Sequence, residues 1–311
     1  MKTPIILDTD LGTDIDDVYA LVLAIHHPSL DLKGVTTVYG DVQARAKLAA
    51  KILRLSGCEH IPVHAGIRVP QARLKRGDIA PDFTDFLNHT EYVTEDDPEF
   101  GQLYPDAIEF ILQSLSTTPE PIGLIGIGPW TNLAEVLRSA TPEQRQMIRF
   151  VALMGGEPNR MIAEHNVVCD PEGADSVLTS GLPIFMGSLD VTKQMILTIP
   201  EVETFLGNAT APIHKALYET TRLWLPCRGA KPGPVLYDLI PVFWAADPSL
   251  VKTAPMSLRV ETLGVFSRGF TVPMNLETQY QIGVSLEIDT NLLKTKLLRI
   301  LGITGPNHQC Q

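Results

Sequence analysis

The chain has 311 residues, 44% of them apolar, with 25 basic against 36 acidic side chains and a formal net charge of −11. That is enough apolar material for a substantial core, the acidic balance lacks the basic footprint of a nucleic-acid binder, and no run of ~18 or more apolar residues offers a membrane span. Four scattered cysteines, Cys58, Cys169, Cys227 and Cys310, show no C-x-x-C spacing, which points to a reducing compartment rather than a disulfide framework or a zinc site. The chain enters a core strand almost at once, leaving no room for a signal peptide, so a cytoplasmic location is expected.

Residues 4–7 are a short apolar run that reads as a buried strand. Five aspartates follow within ten residues: Asp8, Asp10, Asp14, Asp16 and Asp17. Residues 18–25 are again apolar and read as a helix. The carboxylates therefore sit where a strand ends and a helix begins, the crevice in which open α/β sheets bind ligands. Gly12 permits the sharp turn there. One aspartate, Asp14, is expected to cap the helix. Five carboxylates this close repel one another unless a cation sits among them, and hard divalent ions such as Ca²⁺ or Mg²⁺ take oxygen ligands.

Residues 32–39 read as a second strand, which puts Asp41 at another strand end. Residues 42–56 are apolar at helical period, and 61–65 form a third short strand. Residues 66–103 carry basic and then acidic side chains with little periodicity, and read either as a surface flap near the mouth of the site or as a solvated loop with no role. The alternation then resumes: a helix over 105–115, a strand over 122–127, a turn at 128–132, a helix from 133, and a strand over 150–154 ended by Gly155-Gly156. A polar loop over 157–170 follows. Pro171 opens a helix, and 182–186 form another strand. This repetition predicts a single α/β domain over residues 1–311, an open, mostly parallel sheet with helices on both faces. Residues 200–246 read as mainly helical. Strand-like runs at 256–261, 270–276 and 281–288 suggest a small C-terminal antiparallel appendage, and 291–301 a final helix. The tail after Gly302 is expected to fray.

Two readings compete for the opening motif. Asp8-Thr9-Asp10-Leu11-Gly12-Thr13 fits the Asp-x-Asp-x-x-Thr string of haloacid-dehalogenase-type phosphatases, with Asp8 as nucleophile, Asp10 as acid/base and Mg²⁺ assisting. That family does not place Asp-x-Asp-Asp directly afterwards, and no convincing lysine and later acidic pair complete the set. The second reading covers more of the chain. The run from Asp8 to Asp17 resembles the opening motif of the nucleoside hydrolases, the inosine–uridine-preferring N-ribohydrolase family. Here the paired aspartates arrive two residues late, and Leu11 replaces a proline. Four further matches fall in the family's order: Gly128-Pro129-Trp130-Thr131-Asn132, Met154-Gly155-Gly156, Glu164-His165-Asn166 with Asp170-Pro171-Glu172, and Tyr237-Asp238.

The resemblance implies hydrolysis of the N-glycosidic bond of a small-molecule ribonucleoside with one Ca²⁺, by a homodimer or homotetramer. Its implied ion ligands are Asp10, Asp17, the main-chain carbonyl of Thr131, and Asp238. Asp10 would also be the general base. Asp16, Asp41, Asn159, Glu164 and Asn166 would hold the ribose hydroxyls, with Met154 beneath the sugar and Asp8 in support. The physics agrees, since breaking this bond develops positive charge on the sugar, which surrounding carboxylates stabilise. Many family members carry His-Asp where this chain has Tyr237-Asp238. Tyr237 is expected to stack on the nucleobase, and the acid for the leaving base is unassigned. His165, between two ribose contacts, is expected to point away from them. A nucleoside-binding protein without turnover is the non-enzyme alternative.

Overall fold

The computed structural model describes residues 2–72, 88–97, 103–228, 232–274 and 281–303. The first half runs β1 (Thr3–Thr9), α1 (Asp16–His26), β2 (Leu30–Thr37), α2 (Val42–Leu55), β3 (Val63–Ala65), β4 (Leu103–Pro105), α3 (Ala107–Thr117), β5 (Ile122–Gly126), α4 (Thr131–Ser139), α5 (Pro142–Gln146) and β6 (Ile148–Met154). The second half runs α6 (His165–Cys169), α7 (Pro171–Leu178), β7 (Ile184–Gly187), α8 (Leu189–Thr192), α9 (Ile199–Leu206), α10 (Pro212–Trp224), α11 (Leu239–Ala246), β8 (Val251–Val260), β9 (Thr271–Pro273), β10 (Gln281–Ile288) and α12 (Thr290–Ile300).

The strands form one sheet in the order β4-β3-β2-β1-β5-β6-β7-β10-β8-β9. β1 pairs in parallel with β2 on one side and β5 on the other. The chain thus winds outward from β1 to β4, returns to the centre, and winds the other way from β5. The reversal between β1 and β5 is a topological switch point, and it opens a crevice at the carboxyl ends of these strands. The aspartate run leaves β1 at that crevice.

Side chains alternate across the central strand as the pleat requires. Ile5 and Leu7 enter a core shared with α1, α2, α10, α11 and α12, whereas Ile6 enters a second core shared with α3, α4 and α7. Helices therefore cover both faces, as the sequence pattern predicts. α1 is buried over its whole apolar run from Val18 to Ala24. Among the described residues no helix is long and apolar enough to cross a membrane.

The C-terminal strands extend the main sheet rather than standing apart from it. β10 pairs in parallel with β7, and β8 and β9 then add antiparallel to its edge. The polar loop expected at 157–170 contains the short helix α6. Much of the expected flap, and the tail beyond Ile303, lies outside the described residues. Of the flap, Asn88 donates through its main chain to Gly12 O at 3.0 Å and through Nδ2 to Thr13 O at 2.6 Å, so this part rests on the loop after β1.

Candidate active site

The loop between β1 and α1 is held by one buried cation. Arg45, on α2, donates from Nε to Tyr39 O at 2.7 Å, from Nη1 to the carbonyls of Asp10 and Leu11, and from Nη2 to Thr13 Oγ1 at 2.9 Å. The planar guanidinium suits this multi-point grip. Close approach of the β5 loop completes the fixation. A Cβ on Gly128 would lie 2.9 Å from both the amide nitrogen and Oδ1 of Asp10, so only glycine fits. Asp14 does not cap α1. The cap position falls on Ile15, and Asp14 Oδ1 accepts from the adjacent Ile15 amide at 2.9 Å. Asp16 and Asp17 in the first turn complement the positive end of the helix instead.

Asp8 supports the site from beneath. Its Oδ1 accepts from Thr36 Oγ1 at 2.6 Å and from Asn132 Nδ2 at 2.7 Å. Burial pushes its carboxyl up to about 7, partly opposed by those two hydrogen bonds. Asp17 Oδ1 accepts from Thr9 Oγ1 at 2.5 Å. Asp238 holds the N-cap position of α11 without capping it, and its amide donates to Asp16 Oδ2 at 3.4 Å. One carboxylate oxygen from each of Asp16, Asp17 and Asp238 lies within 4.8 Å of the others, and all three residues are buried. Burial and mutual repulsion raise all three carboxyls well above their ordinary range. Asp10 is raised by burial too, against the lowering charges of Arg45 and His165. An all-oxygen, anionic, desolvated donor set of this kind fits a hard divalent cation, which would remove the repulsion.

The opposite wall rises from the end of β6. Trp130 is fully buried and donates from Nε1 to Met154 O at 3.1 Å. Gly155, at φ 153°, leaves room where a Cβ would lie 2.7 Å from Trp130 and 3.0 Å from Glu164 Oε2. Glu164 caps α6. Its carboxylate accepts from the amides of Asn166 and Gly156 at 3.0 Å and Val167 at 3.2 Å. Burial raises its carboxyl, and those amides oppose the rise. Asn166 Nδ2 donates to Ile127 O at 2.8 Å and Met154 O at 3.1 Å. His165 opens α6, is exposed, and is among the residues that line the cavity, beside the Glu164 and Asn166 from which it is expected to point away.

Between these walls lies a cavity of about 400 Å³. Asp10, Asp16, Asp17 and Asp238 line one side, and Met154, Glu164 and Asn166 the other, with Tyr237 also on its wall. Eight of the eleven residues expected to build the site are thus brought together. Three are not. Thr131, at the start of α4, lines a separate depression with Asp170 and Glu172, while Ile127 at the end of β5 lines the cavity. The Thr-Asn motif acts here through Asn132, which braces Asp8. Asp41 lies off the lining and caps α2, accepting from Ala44 N at 3.1 Å. Asn159 is exposed, and its Nδ2 donates to Asp190 at 2.8 Å. The sequence reading offers His165, with Trp224, His89 and Arg222, as a candidate contact to the leaving group, and it misses Arg45 and Ile127. Arg45 had a signal, because it falls on the stripe of Leu48, Ala49 and Ile52 that α2 buries.

The inosine-uridine preferring nucleoside hydrolase family pattern matches residues 5–295. A non-specific ribonucleoside hydrolase RihC from Escherichia coli strain SMS-3-5 is 34% identical over 321 residues, covering 98% of this chain and 100% of that protein. A RihC from Escherichia coli strain K12 is 36% identical over 285 residues, covering 88% of each. Among solved structures, the plant nucleoside hydrolase PpNRh1 superposes with a TM-score of 0.82 at 26% identity, over 96% of this chain and 99% of that one. A purine-preferring ribonucleoside hydrolase from Gardnerella vaginalis superposes with a TM-score of 0.82 at 28% identity, over 96% and 98%.

Proposed function

Since this chain belongs to the inosine-uridine preferring nucleoside hydrolase family and is a nucleoside N-ribohydrolase, we propose that it cleaves ribonucleosides to ribose and free base with Ca²⁺ as its resident ion. The observation that carries the metal dependence is the buried Asp16–Asp17–Asp238 cluster beside Asp10. The phosphatase reading of the Asp-x-Asp string has no support from the family or the fold.

Asp10, Asp17 and Asp238 would hold the ion. When bound, it would supply positive charge that orients water and sugar hydroxyls and lowers the pKa of water. Asp10 accepts the proton of the attacking water. Asp16, Glu164 and Asn166 orient the ribose hydroxyls above Met154, and the carboxylates stabilise the positive charge that grows on the sugar as the C1′–N bond lengthens. Tyr237 faces the nucleobase. The free thiols of Cys58 and Cys169 suit a reducing, cytoplasmic setting. The exposed Leu263, Val265 and Phe266 between β8 and β9 support the homodimer or homotetramer that the resemblance implies.

The test is release of ribose from inosine, adenosine, guanosine, uridine and cytidine, with Ca²⁺ and with chelator. Chelator-sensitive release is expected. Release that survives exhaustive chelation would remove Ca²⁺ from the reading, and silence on all five would remove the ribonucleoside.

A further inference from the structure

A departing nucleobase needs a proton, and the aspartate side of the cavity only removes one. Six of the lining groups are carboxyls: Asp10, Asp14, Asp16, Asp17, Glu164 and Asp238. Among the described residues that line the cavity, His165 is the only imidazole, and it is exposed. Its Nε2 lies 3.7 Å from Cys169 Sγ, one helical turn further along α6. The Tyr39 ring meets it edge-on, with centroids 6.4 Å apart and planes at 87°. Tyr39 is itself fixed, since its carbonyl accepts from Arg45. One ring nitrogen is thus turned to the sulfur. The other, Nδ1, has no hydrogen-bond partner among the described residues.

We infer that His165 is the acid that protonates the leaving base, with Cys169 and Tyr39 as its positioning residues. The inference rests on the ribohydrolase reading above and deepens it. The titratable groups that face His165 are Cys169 on its own helix, Glu164 before it and Asp10 across the cavity, with Tyr39 on the remaining side. The Cys169 contact, followed by the charges of Asp10 and Glu164, pushes the imidazole up to about 9. That direction favours the protonated ring. A cation against the sugar would oppose the charge that develops there. Its productive place is against the base, where negative charge accumulates. Tyr237 also lines the cavity and competes for the role, but a neutral phenol brings no charge to the departing base.

The step balances. Water gives one proton to Asp10, and its oxygen bonds to C1′. The C1′–N bond breaks with its electron pair on the base, and the imidazolium proton joins that nitrogen. Asp10 then loses its proton to solvent and His165 regains one.

The experiment sets two substrates against each other: a natural nucleoside, and 4-nitrophenyl β-D-ribofuranoside, whose phenolate leaves without protonation. For His165→Phe and His165→Gln, kcat on the nucleoside is expected to fall by about 10²–10⁴-fold, with kcat on the nitrophenyl riboside nearly unchanged. Cys169→Ala should move the alkaline limb of the nucleoside pH profile downward and leave the nitrophenyl profile in place. Equal losses on both substrates, or no loss on the nucleoside, would overturn the inference and leave the hydrolase reading standing. So would a substrate split shown by Tyr237→Phe instead. A wild-type protein inert to both substrates would overturn the hydrolase reading and this inference with it.

Discussion

The two walls of the cavity are built in opposite ways. The aspartate wall stands on the ends of β1, α1 and α11, and its carboxylates project from backbone whose course the sheet dictates. Hydrogen bonds from Thr9, Thr36, Asn132 and Arg45 then fix it. The facing wall is a loop that becomes ordered through its own side chains: Glu164 caps α6, and Asn166 ties it to β5 and β6. A motif on the first wall can be read from strand-to-helix spacing. On the second wall, the cap decides which way each residue points, and spacing alone misdirects.

The largest effect expected on this contrast comes from Asp10→Asn, which removes the proposed proton acceptor of the first wall while keeping its shape. Turnover of nucleosides should fall by about 10²–10⁴-fold or more, since a general base is lost and the ion loses a ligand charge. Unlike the His165 variants, Asp10→Asn should damage the nitrophenyl riboside equally. A substrate-dependent loss would show that the two walls do not divide base and acid as drawn here.

Next is Arg45→Met, which removes the brace of the aspartate wall without touching the cavity lining. It leaves the carbonyls of Tyr39, Asp10 and Leu11 without their donor, so a cost of about 3 kcal/mol is expected from chemical denaturation. Activity should fall with it. A variant of unchanged stability would mean that the wall holds itself up.

The ion and the proton should compete for the same wall. Asp8, Asp16, Asp17 and Asp238 all have carboxyls raised in the folded chain, Asp8 to about 7. In the unfolded chain they titrate near their ordinary value of 3.8. Without metal, the folded state therefore binds more protons, and stability falls as pH climbs from about 4 through 7. A bound Ca²⁺, as proposed, would require the deprotonated wall, so its stabilisation would grow over the same window, reaching about 2.7 kcal/mol at a hundredfold excess over Kd. The gap in Tm between Ca²⁺ and chelator should thus be small at pH 5 and wide at pH 8. A gap that is the same at both would separate the ion from these carboxylates.

The same contrast explains what could be read in the sequence. The parallel core was legible because each buried strand is a short apolar run closed by Gly, Asp or Asn. The aspartates were legible because so many carboxylates at a strand end have no structural explanation. β10 beside β7 was not, because partnership across a hundred residues leaves no local trace. α6 was hidden because five residues are too few for periodicity, and its start is set by the Glu164 cap. Arg45 reads as a surface residue unless its place on the apolar stripe of α2 is noticed. Thr131 is among the residues of a separate depression, and its motif braces Asp8 through the neighbouring Asn132.

The smallest effect belongs to Asn159, and its smallness is informative. The family resemblance implies that it contacts the ribose. In the structure it is exposed, and its amide is bound to Asp190, which Ser188 Oγ also reaches at 2.5 Å. Asn159→Ala should therefore change KM and kcat little and stability by no more than about 0.5 kcal/mol, as for an ordinary surface residue. Asn166→Ala should weaken both, because its amide joins Ile127 and Met154 across the floor of the site. If Asn159→Ala instead raises KM steeply while Asn166→Ala does not, the loop must turn over when the sugar binds, and the second wall would take its working shape only around its substrate.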